Sequence, residues 1–198
     1  MPIDVTTSDI CEQAFLLLEL GVPSDFGTTR EESVVVASAY DRALKLVLEA
    51  YDWSCAREIV ALAAADPAPT VTDPDLAYAV TLPADCVKLR HIYDGDDFTW
   101  RKDGRLIRLD SLPPITIRYT KTITDEADLD GHVAQVVAHQ IAYLVSPRFV
   151  TSRTKRADLR ADLADAMQAA KDADAITGTA HRMDGTPDVG DWVAEATT

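Results

Sequence analysis

The chain has 198 residues, of which 47% are hydrophobic, and its formal net charge at pH 7 is −14. This length suits one compact domain or two small ones, and the hydrophobic content excludes a wholly disordered chain. Lysine and arginine supply the affinity for phosphate backbones, so 19 basic against 33 acidic residues argue against a protein that grips nucleic acid. Neither a membrane span nor a signal peptide is predicted, so we expect the protein to be made in the cytoplasm.

Two amphipathic helices are predicted for the N-terminal part of the chain. The first covers residues 8–20 and ends at Gly21, a residue common just after helices. The second begins at Thr29 and Glu32, which have the spacing of a capping box. Its apolar residues recur every three or four positions as one stripe: Val36, Tyr40, Ala43, Leu44, Val47, Leu48 and Tyr51. We expect the two helices to be antiparallel, with Trp53 packed under the end of the second.

The middle of the chain is predicted to be a small antiparallel sheet of four or five strands. From Leu76 the hydrophobic period changes to two, which indicates strands. Residues 102–104 are the turn of a hairpin, and residues 82–85 are a single turn between two strands. The segment 65–75, which has three prolines, is interpreted as a linker or exposed loop.

The helical period returns after Thr124. A third helix is expected to stop at Ser146-Pro147, because proline cannot continue a helix. A fourth helix is predicted over residues 152–176. The remaining residues, 178–198, contain few apolar side chains and are interpreted as an extended, flexible tail that carries the apolar pair Trp192 and Val193.

These elements predict an α+β fold in which helices from both ends of the chain form a four-helix bundle with the sheet inserted between its halves. Residues 1–64 form the N-terminal helical half and residues 65–124 the sheet region. Residues 125–177 form the C-terminal helical half, and residues 178–198 the tail.

Basic residues in the sheet region alternate with apolar positions, which predicts that they line the outer surface of the sheet. These residues are Lys88, Arg90, Arg101, Arg108 and Arg118. Because the two helical parts are acidic, we hypothesise that this basic face contacts the acidic bundle of another copy, head to tail.

The fourth helix begins with four basic residues, although cations at a helix N-terminus oppose the helix dipole. They are Arg153, Lys155, Arg156 and Arg160. One interpretation is a solvated face balanced by Asp158 and Asp162. The other is a docking edge for an acidic partner, with Trp192 and Val193 as further partner-binding candidates, because aromatic residues are common anchors in interfaces.

The sequence contains no recognisable catalytic, phosphate-binding or metal-binding motif. His132 and His139 are seven residues apart, roughly 10 Å along a helix, so they cannot share a metal without other ligands. The three cysteines are widely spaced and are expected to be reduced. We therefore expect a protein that is not an enzyme, with no catalytic residue, no cofactor and no metal.

The order of segments resembles the phage head–tail adaptor family, which includes the tail tubular A proteins of short-tailed phages and related adaptors of siphophages and gene transfer agents. The resemblance covers roughly residues 8–176. Its most specific pieces are the Asp52-Trp53 step after the long helix and the step Leu82-Pro83-Ala84-Asp85-Cys86. Further matching pieces lie at residues 20–22, 102–104 and 117–119.

The resemblance implies a structural subunit of a ring, commonly of twelve copies, that sits beneath the portal protein at the head–tail junction of a virion or phage-like particle. The ring would extend the DNA channel without binding DNA specifically, and would present a surface to the next tail or stopper protein. The acidic charge is compatible with a channel through which DNA slides.

Two alternatives remain open. One is a DNA-packaging type of DNA-binding protein, whose recognition helix would be residues 153–160. The other is a small hydrolase that uses His132 or His139 with Asp128 or Asp130.

Overall fold

The computed structural model describes residues 8–21, 31–64, 73–93 and 95–183, with side chains described as far as residue 176. These residues form an α+β protein with four α-helices and two small antiparallel sheets. The helices are α1 (Asp9–Leu17), α2 (Glu31–Ala50), α3 (Gly131–Phe149) and α4 (Arg153–Met183). The strands are β1 (Arg57–Leu62), β2 (Tyr78–Thr81), β3 (Cys86–Ile92), β4 (Trp100–Asp103), β5 (Leu106–Leu109) and β6 (Ile115–Lys121).

The chain divides into two compact units. The sheet unit contains Tyr40–Leu129, and the helical unit contains the described residues of Val5–Ala39 and Asp130–Thr198. Helix α2 therefore contributes residues to both. Three predicted features lie largely or wholly outside the described residues. They are the helix cap at Thr29, the tail residues Trp192 and Val193, and most of the predicted linker. In the part of the chain that is described, no helix has the length and apolarity that crossing a membrane would require.

Helix α3 is the centre of the helical unit, where it packs against α1 and α4. The packing follows from its sequence, because its apolar residues repeat at helical spacing and are buried: Val133, Val136, Val137, Ile141 and Val145. On α1 the buried residues are Ile10, Cys11, Ala14 and Phe15. Ser8 caps α1, since its hydroxyl accepts a hydrogen bond of 3.2 Å from the Cys11 N–H. The predicted four-helix bundle, however, is not confirmed.

The first helix ends earlier than predicted. Glu19, not Gly21, takes the left-handed backbone conformation, with φ of 58°. The Glu19 and Leu20 N–H groups donate to the carbonyls of Leu16 and Phe15 at 3.0 and 3.1 Å. This is the paired hydrogen bonding of a Schellman motif, which satisfies carbonyls left open at a helix end. The tertiary structure thus places a glutamate where local preference favours glycine.

The third helix continues past the predicted stop. It begins at Gly131 and ends at Phe149, so Pro147 lies inside its last turn. Proline has no N–H to donate to the carbonyl four residues earlier, which here belongs to Tyr143. The Ser146 hydroxyl donates to that Tyr143 carbonyl at 2.9 Å. The serine before the proline therefore replaces the missing donor, which explains why the helix tolerates the proline.

The sheet unit contains two three-stranded sheets and not the single sheet predicted. The strand order is β1-β6-β3 in the first and β2-β5-β4 in the second, and every pairing is antiparallel. The turn at residues 84–85 is present, but the strands it joins, β2 and β3, belong to different sheets. Both sheets contribute to one apolar cluster, which contains Leu62, Val80, Leu82, Ile92, Ile107, Leu109, Ile115, Ile117 and Tyr119.

The hairpin between β4 and β5 agrees with the prediction, with its turn one residue later. Asp103 pairs with Leu106, so Gly104 and Arg105 form a two-residue loop. Gly104 has φ of 63°, which fits the first position of a type II′ turn and is favourable only for glycine.

Strand β3 departs from simple alternation because it contains two irregularities. Its register against β6 shifts between Cys86 and Lys88 and again between Leu89 and His91. Each shift adds one unpaired residue, as in a β-bulge, and a bulge changes which face the following side chains occupy. At the end of this strand Ile92 is buried while His91 is exposed. Arg90 is the extra residue of the second bulge.

Candidate functional site

The Asp52-Trp53 step lies just after the end of α2 and closes it. Trp53 is fully buried, and its indole Nε1–H donates to the Val47 carbonyl in the last turn of α2 at 2.8 Å. The Tyr51 ring contacts it edge to face, with ring centroids 4.8 Å apart. The predicted position of Trp53 under the helix end is therefore confirmed, and the tryptophan satisfies one of the carbonyls that a helix terminus leaves open.

Two cations from β3 bind the remaining carbonyls at the end of α2. The Arg90 guanidinium donates to the Leu48 carbonyl at 2.7 Å, to the Glu49 carbonyl at 3.3 Å and also to the Tyr51 carbonyl. The Lys88 ammonium donates to the Glu49 carbonyl at 2.9 Å. Helix α2 has no basic residue in its own last turn, so the strand supplies the positive charge that complements the negative end of the helix dipole.

Asp52 contributes a negative charge to the same region and forms ion pairs with three arginines. Its carboxylate lies 3.5 Å from Arg57 of β1, 4.0 Å from Arg90 of β3 and 3.4 Å from Arg118 of β6. One carboxylate thus pairs with an arginine from each strand of the first sheet. The Arg90 side chain is only 11% exposed, and this burial lowers the pKa of its guanidinium despite the opposing effect of Asp52.

This geometry corrects the predicted outer basic face. Lys88, Arg90 and Arg118 belong to the first sheet and face the end of α2 and its Asp52, whereas Arg101 and Arg108 belong to the second sheet. The five residues therefore do not line one open surface. The physical reasons are that the strands form two sheets rather than one, and that the end of α2 covers the face of the first sheet that carries these cations.

Arg101 and Arg108 form an ion-pair network on the hairpin. Arg101 contacts Asp73 at 2.7 Å and Asp103 at 2.9 Å, and Arg108 contacts Asp103 at 3.1 Å. The hydrogen bond from Arg101 lowers the pKa of Asp103. The pKa of Asp73 is lowered first by the backbone N–H of Asp75 and then by Arg101. Arg101 remains 55% exposed, so it is the more accessible of the two arginines.

The turn at residues 82–86 ties β3 to the end of β6. The Cys86 N–H donates to the Pro83 carbonyl at 3.0 Å, and the Thr122 N–H donates to the Asp85 carbonyl at 2.8 Å. The Tyr119 hydroxyl donates to the Asp85 carboxylate at 3.3 Å. Burial, followed by the charge of Asp85, raises the pKa of Tyr119 to about 12. Both motif steps of the family resemblance therefore fasten the sheet unit.

The basic start of α4 divides into one paired lysine and three other cations. The Lys155 ammonium lies 2.6 Å from the Glu19 carboxylate and 3.4 Å from the Leu18 carbonyl. It therefore supplies the end of α1 with a cation, since α1 has no basic residue in its last turn. Arg153 and Arg160 are exposed, and Arg156 is half-buried. Neither Asp158 nor Asp162, both exposed, is needed to balance Lys155.

Trp100 is the most prominent exposed aromatic residue of the sheet unit. It is 41% exposed on β4, an edge strand. A groove of about 470 Å³ on one side is lined by Trp100, Lys88 and Lys102, among others. A smaller groove of about 200 Å³ is lined by Trp100, Gly95 and Asp96, among others. We call Trp100 with Lys88 and Lys102 the Trp100 surface. Sequence reasoning missed it because nothing in the pattern distinguishes an exposed strand tryptophan from a buried one.

The two histidines weighed in the sequence have different surroundings. The His139 ring nitrogen Nδ1 lies 2.9 Å from the Gln135 carbonyl, within the same helix. His132 lies instead beside Asp130 and Asp174, with one potential ligand atom of each residue within 4.8 Å of the others. These are residues that could hold a metal ion. The sequence analysis compared His132 with His139 and not with Asp174, which is too distant in sequence to suggest the cluster.

No protein-family model matches this sequence, and no curated protein sequence does either. The resemblance to head–tail adaptors therefore depends on the order of elements and on the two motif steps described above.

Proposed function

We propose that this protein is a structural head–tail connector of a phage or phage-like particle such as a gene transfer agent. In this proposal several copies, commonly twelve in the family it resembles, form a ring under the portal protein. The ring extends the DNA channel, lets DNA pass without specific binding and docks the next tail or stopper protein. The protein acts by the surfaces it presents and not by catalysis.

The observation that carries the proposal is the structural role of both motif steps of the resemblance. Asp52 and Trp53 fasten the end of α2 to three strands, and Asp85 fastens β3 to the end of β6. These are the residues that the resemblance singles out, and their contacts join α2 and the strands of the first sheet. A subunit that transmits force and position within a ring needs such a body more than it needs a reactive cleft.

The Trp100 surface is the candidate for contact between neighbouring subunits. Exposed aromatic side chains beside grooves are typical anchors of protein interfaces. Lys88 and Lys102 give this surface positive charge, and the helical unit is acidic, so a neighbour's helical unit is a complementary partner. Arg101 stays an inter-subunit candidate because it is half exposed. Arg90, Arg108 and Arg118 would act indirectly, by holding the sheets.

The portal-docking candidates are Arg153 and Arg160 at the start of α4. Both are exposed, and an acidic portal surface would pair with them. Lys155 stays a docking candidate as well, although in the free protein it pairs with the exposed Glu19. The docking roles assigned to Trp192 and Val193 stay predictions, because both residues lie outside the described part of the chain.

The proposal is tested by locating the protein in purified particles. Labelling with an antibody should mark the head–tail junction and no other part of the particle. In a gel-shift assay at moderate salt the free protein should leave duplex DNA unshifted, because its net charge of −14 opposes phosphate binding. Absence from purified particles, or a DNA shift removed by substituting Arg153 and Arg160, would favour the DNA-binding alternative.

A further inference from the structure

Three metal-ligating side chains converge in the helical unit, from two helices. Asp130 and His132 lie at the start of α3, and Asp174 lies on α4, 42 residues after His132 by their numbering. One ligand-type atom from each residue lies within 4.8 Å of the other two. We propose that Asp130, His132 and Asp174 form a binding site for one divalent transition-metal ion, with Zn²⁺ as the first candidate. This inference goes beyond the connector function and does not depend on it.

The distances suit an ion better than a direct hydrogen bond. His132 Nε2 and Asp174 Oδ1 are 3.9 Å apart, which is beyond hydrogen-bonding range. In the tetrahedral geometry usual for Zn²⁺, two donors that each lie about 2.0–2.2 Å from the ion are roughly 3.4 Å apart, which is close to this separation. The third donor, from Asp130, lies within 4.8 Å of the other two. The imidazole and two carboxylates form a mixed nitrogen and oxygen set, which suits Zn²⁺ better than Mg²⁺ or Ca²⁺.

Asp130 supplies independent support because it does not perform the usual task of its position. It is the N-cap residue of α3, where an aspartate commonly accepts a hydrogen bond from a first-turn N–H group. Its side chain makes no such capping bond. The carboxylate instead takes part in the cluster with His132 and Asp174.

The burial of Asp174 indicates how a bound ion would stabilise the helical unit. Its side chain is only 3% exposed and that of His132 is 23% exposed, so both are held away from bulk solvent. A buried carboxylate is costly unless positive charge compensates it. A divalent cation between two carboxylates and an imidazole would add positive charge beside Asp174, and it would link the start of α3 to α4. With three protein ligands, the remaining coordination positions would be open to water.

The test is a calorimetric titration of the full chain with Zn²⁺ alone, after treatment with a chelator. Excess Mg²⁺ in the buffer occupies exposed carboxylates, which are numerous on a chain with 33 acidic residues. We expect one saturable site per chain and a rise in melting temperature of roughly 5 °C when Zn²⁺ is about a hundredfold above its Kd. Replacing Zn²⁺ by Co²⁺ should give a visible absorption band characteristic of four or five ligands.

Matched variants assign the site. His132→Gln and Asp174→Asn should each weaken Zn²⁺ binding at least tenfold, whereas His139→Gln, on the same helix but outside the cluster, should leave it unchanged. If Asp174→Asn fails to fold, His132→Gln decides the question, because its side chain is more exposed. Failure of the wild-type chain to take up one Zn²⁺, or equal binding by His132→Gln, would overturn the proposal.

Discussion

The C-terminal ends of α1 and α2 both bind cations that compensate the negative end of the helix dipole, but the contacts differ. Neither helix has a basic residue in its own last turn, so each obtains cations from a distant part of the chain. At the end of α2 these are Lys88 and the nearly buried Arg90, supported by Trp53 and Asp52. At the end of α1 it is Lys155 alone, paired with a Glu19 side chain that is 80% exposed.

This difference indicates which of the two helix ends contributes more to the stability of the fold. A charge contact in water is worth little, whereas a buried hydrogen-bonded charge is costly to disrupt. The end of α2 should therefore be a point of high sensitivity in the sheet unit, and the end of α1 a tolerant one in the helical unit. The following substitutions test that contrast.

Trp53→Ala should produce the largest effect. The substitution removes a fully buried side chain and the donor to the Val47 carbonyl, so unfolding should become easier by about 3–5 kcal/mol. Trp53→Phe keeps most of the apolar volume and should cost about 1–2 kcal/mol. Denaturant unfolding measures both. An equal loss for Trp100→Ala, at a partly exposed position, would refute the contrast.

Arg90→Met should destabilise the protein by about 2 kcal/mol, because the Leu48, Glu49 and Tyr51 carbonyls lose their shared donor. Arg101→Met is the matched control, since Arg101 is a strand arginine that is half exposed and should change stability by less than about 1 kcal/mol. Similar losses for the two variants in urea unfolding would show that the buried guanidinium is not special.

Lys155→Met should cost only about 0.5 kcal/mol, because its partner Glu19 is solvated. Arg153→Met is the control, and it should have no cost or a slight gain, since it removes a cation from the N-terminus of α4. Thermal unfolding of both variants provides the comparison. A loss for Lys155→Met as large as that for Arg90→Met would mean that the two helix ends are equivalent.

Glu19→Gly should stabilise the protein by about 0.5 kcal/mol, whereas the substitutions of Trp53, Arg90 and Lys155 should destabilise it. Relief of the left-handed conformation at Glu19 should exceed the loss of an exposed ion pair. Glu12→Gly, in the interior of the same helix, should instead destabilise by about 1 kcal/mol. If both substitutions lower the melting temperature, the end of α1 is not strained as described.

Asp103→Asn should have the smallest effect on stability, and this effect should appear only at acidic pH. The pKa of Asp103 is lowered by Arg101, so its stabilising contribution is present above its ordinary pKa of 3.8 and lost as the pH falls below it. The variant should therefore lose stability less steeply than the wild type below about pH 4. Acid unfolding followed by circular dichroism measures the slope, and parallel curves would contradict the assignment.

The sequence allowed much of the fold to be predicted, but only where the signals are local. The stripe of α2, the Ser8 cap, the hairpin and the burial of Trp53 follow from spacing and residue type. The predictions failed where a single hydrogen bond or a tertiary contact, which residue type alone does not indicate, decides the outcome. Ser146 supplies a hydrogen bond beside the proline in α3, Glu19 and not Gly21 takes the left-handed position at the end of α1, and the end of α2 covers the predicted surface cation Arg90.

The candidate sites show the same limit. The metal cluster joins Asp174 to residues more than forty positions away, so no local motif announces it. Trp100 differs from Trp53 only by its place at a sheet edge. Conversely, the Asp52-Trp53 step was recognisable as a motif, and the structure supplies its physical explanation in the contacts with three strands.

The most direct test of the central claim is a mass measurement of the chain alone and mixed with the purified portal protein of the same particle. The account predicts that the mixture forms one large complex containing a ring of copies, commonly twelve, on each portal. Trp100→Ala should impair the ring, whereas Tyr78→Ala, at a comparably exposed aromatic residue of the same sheet, should leave it intact. A chain that stays separate from the portal at every ratio would contradict the account.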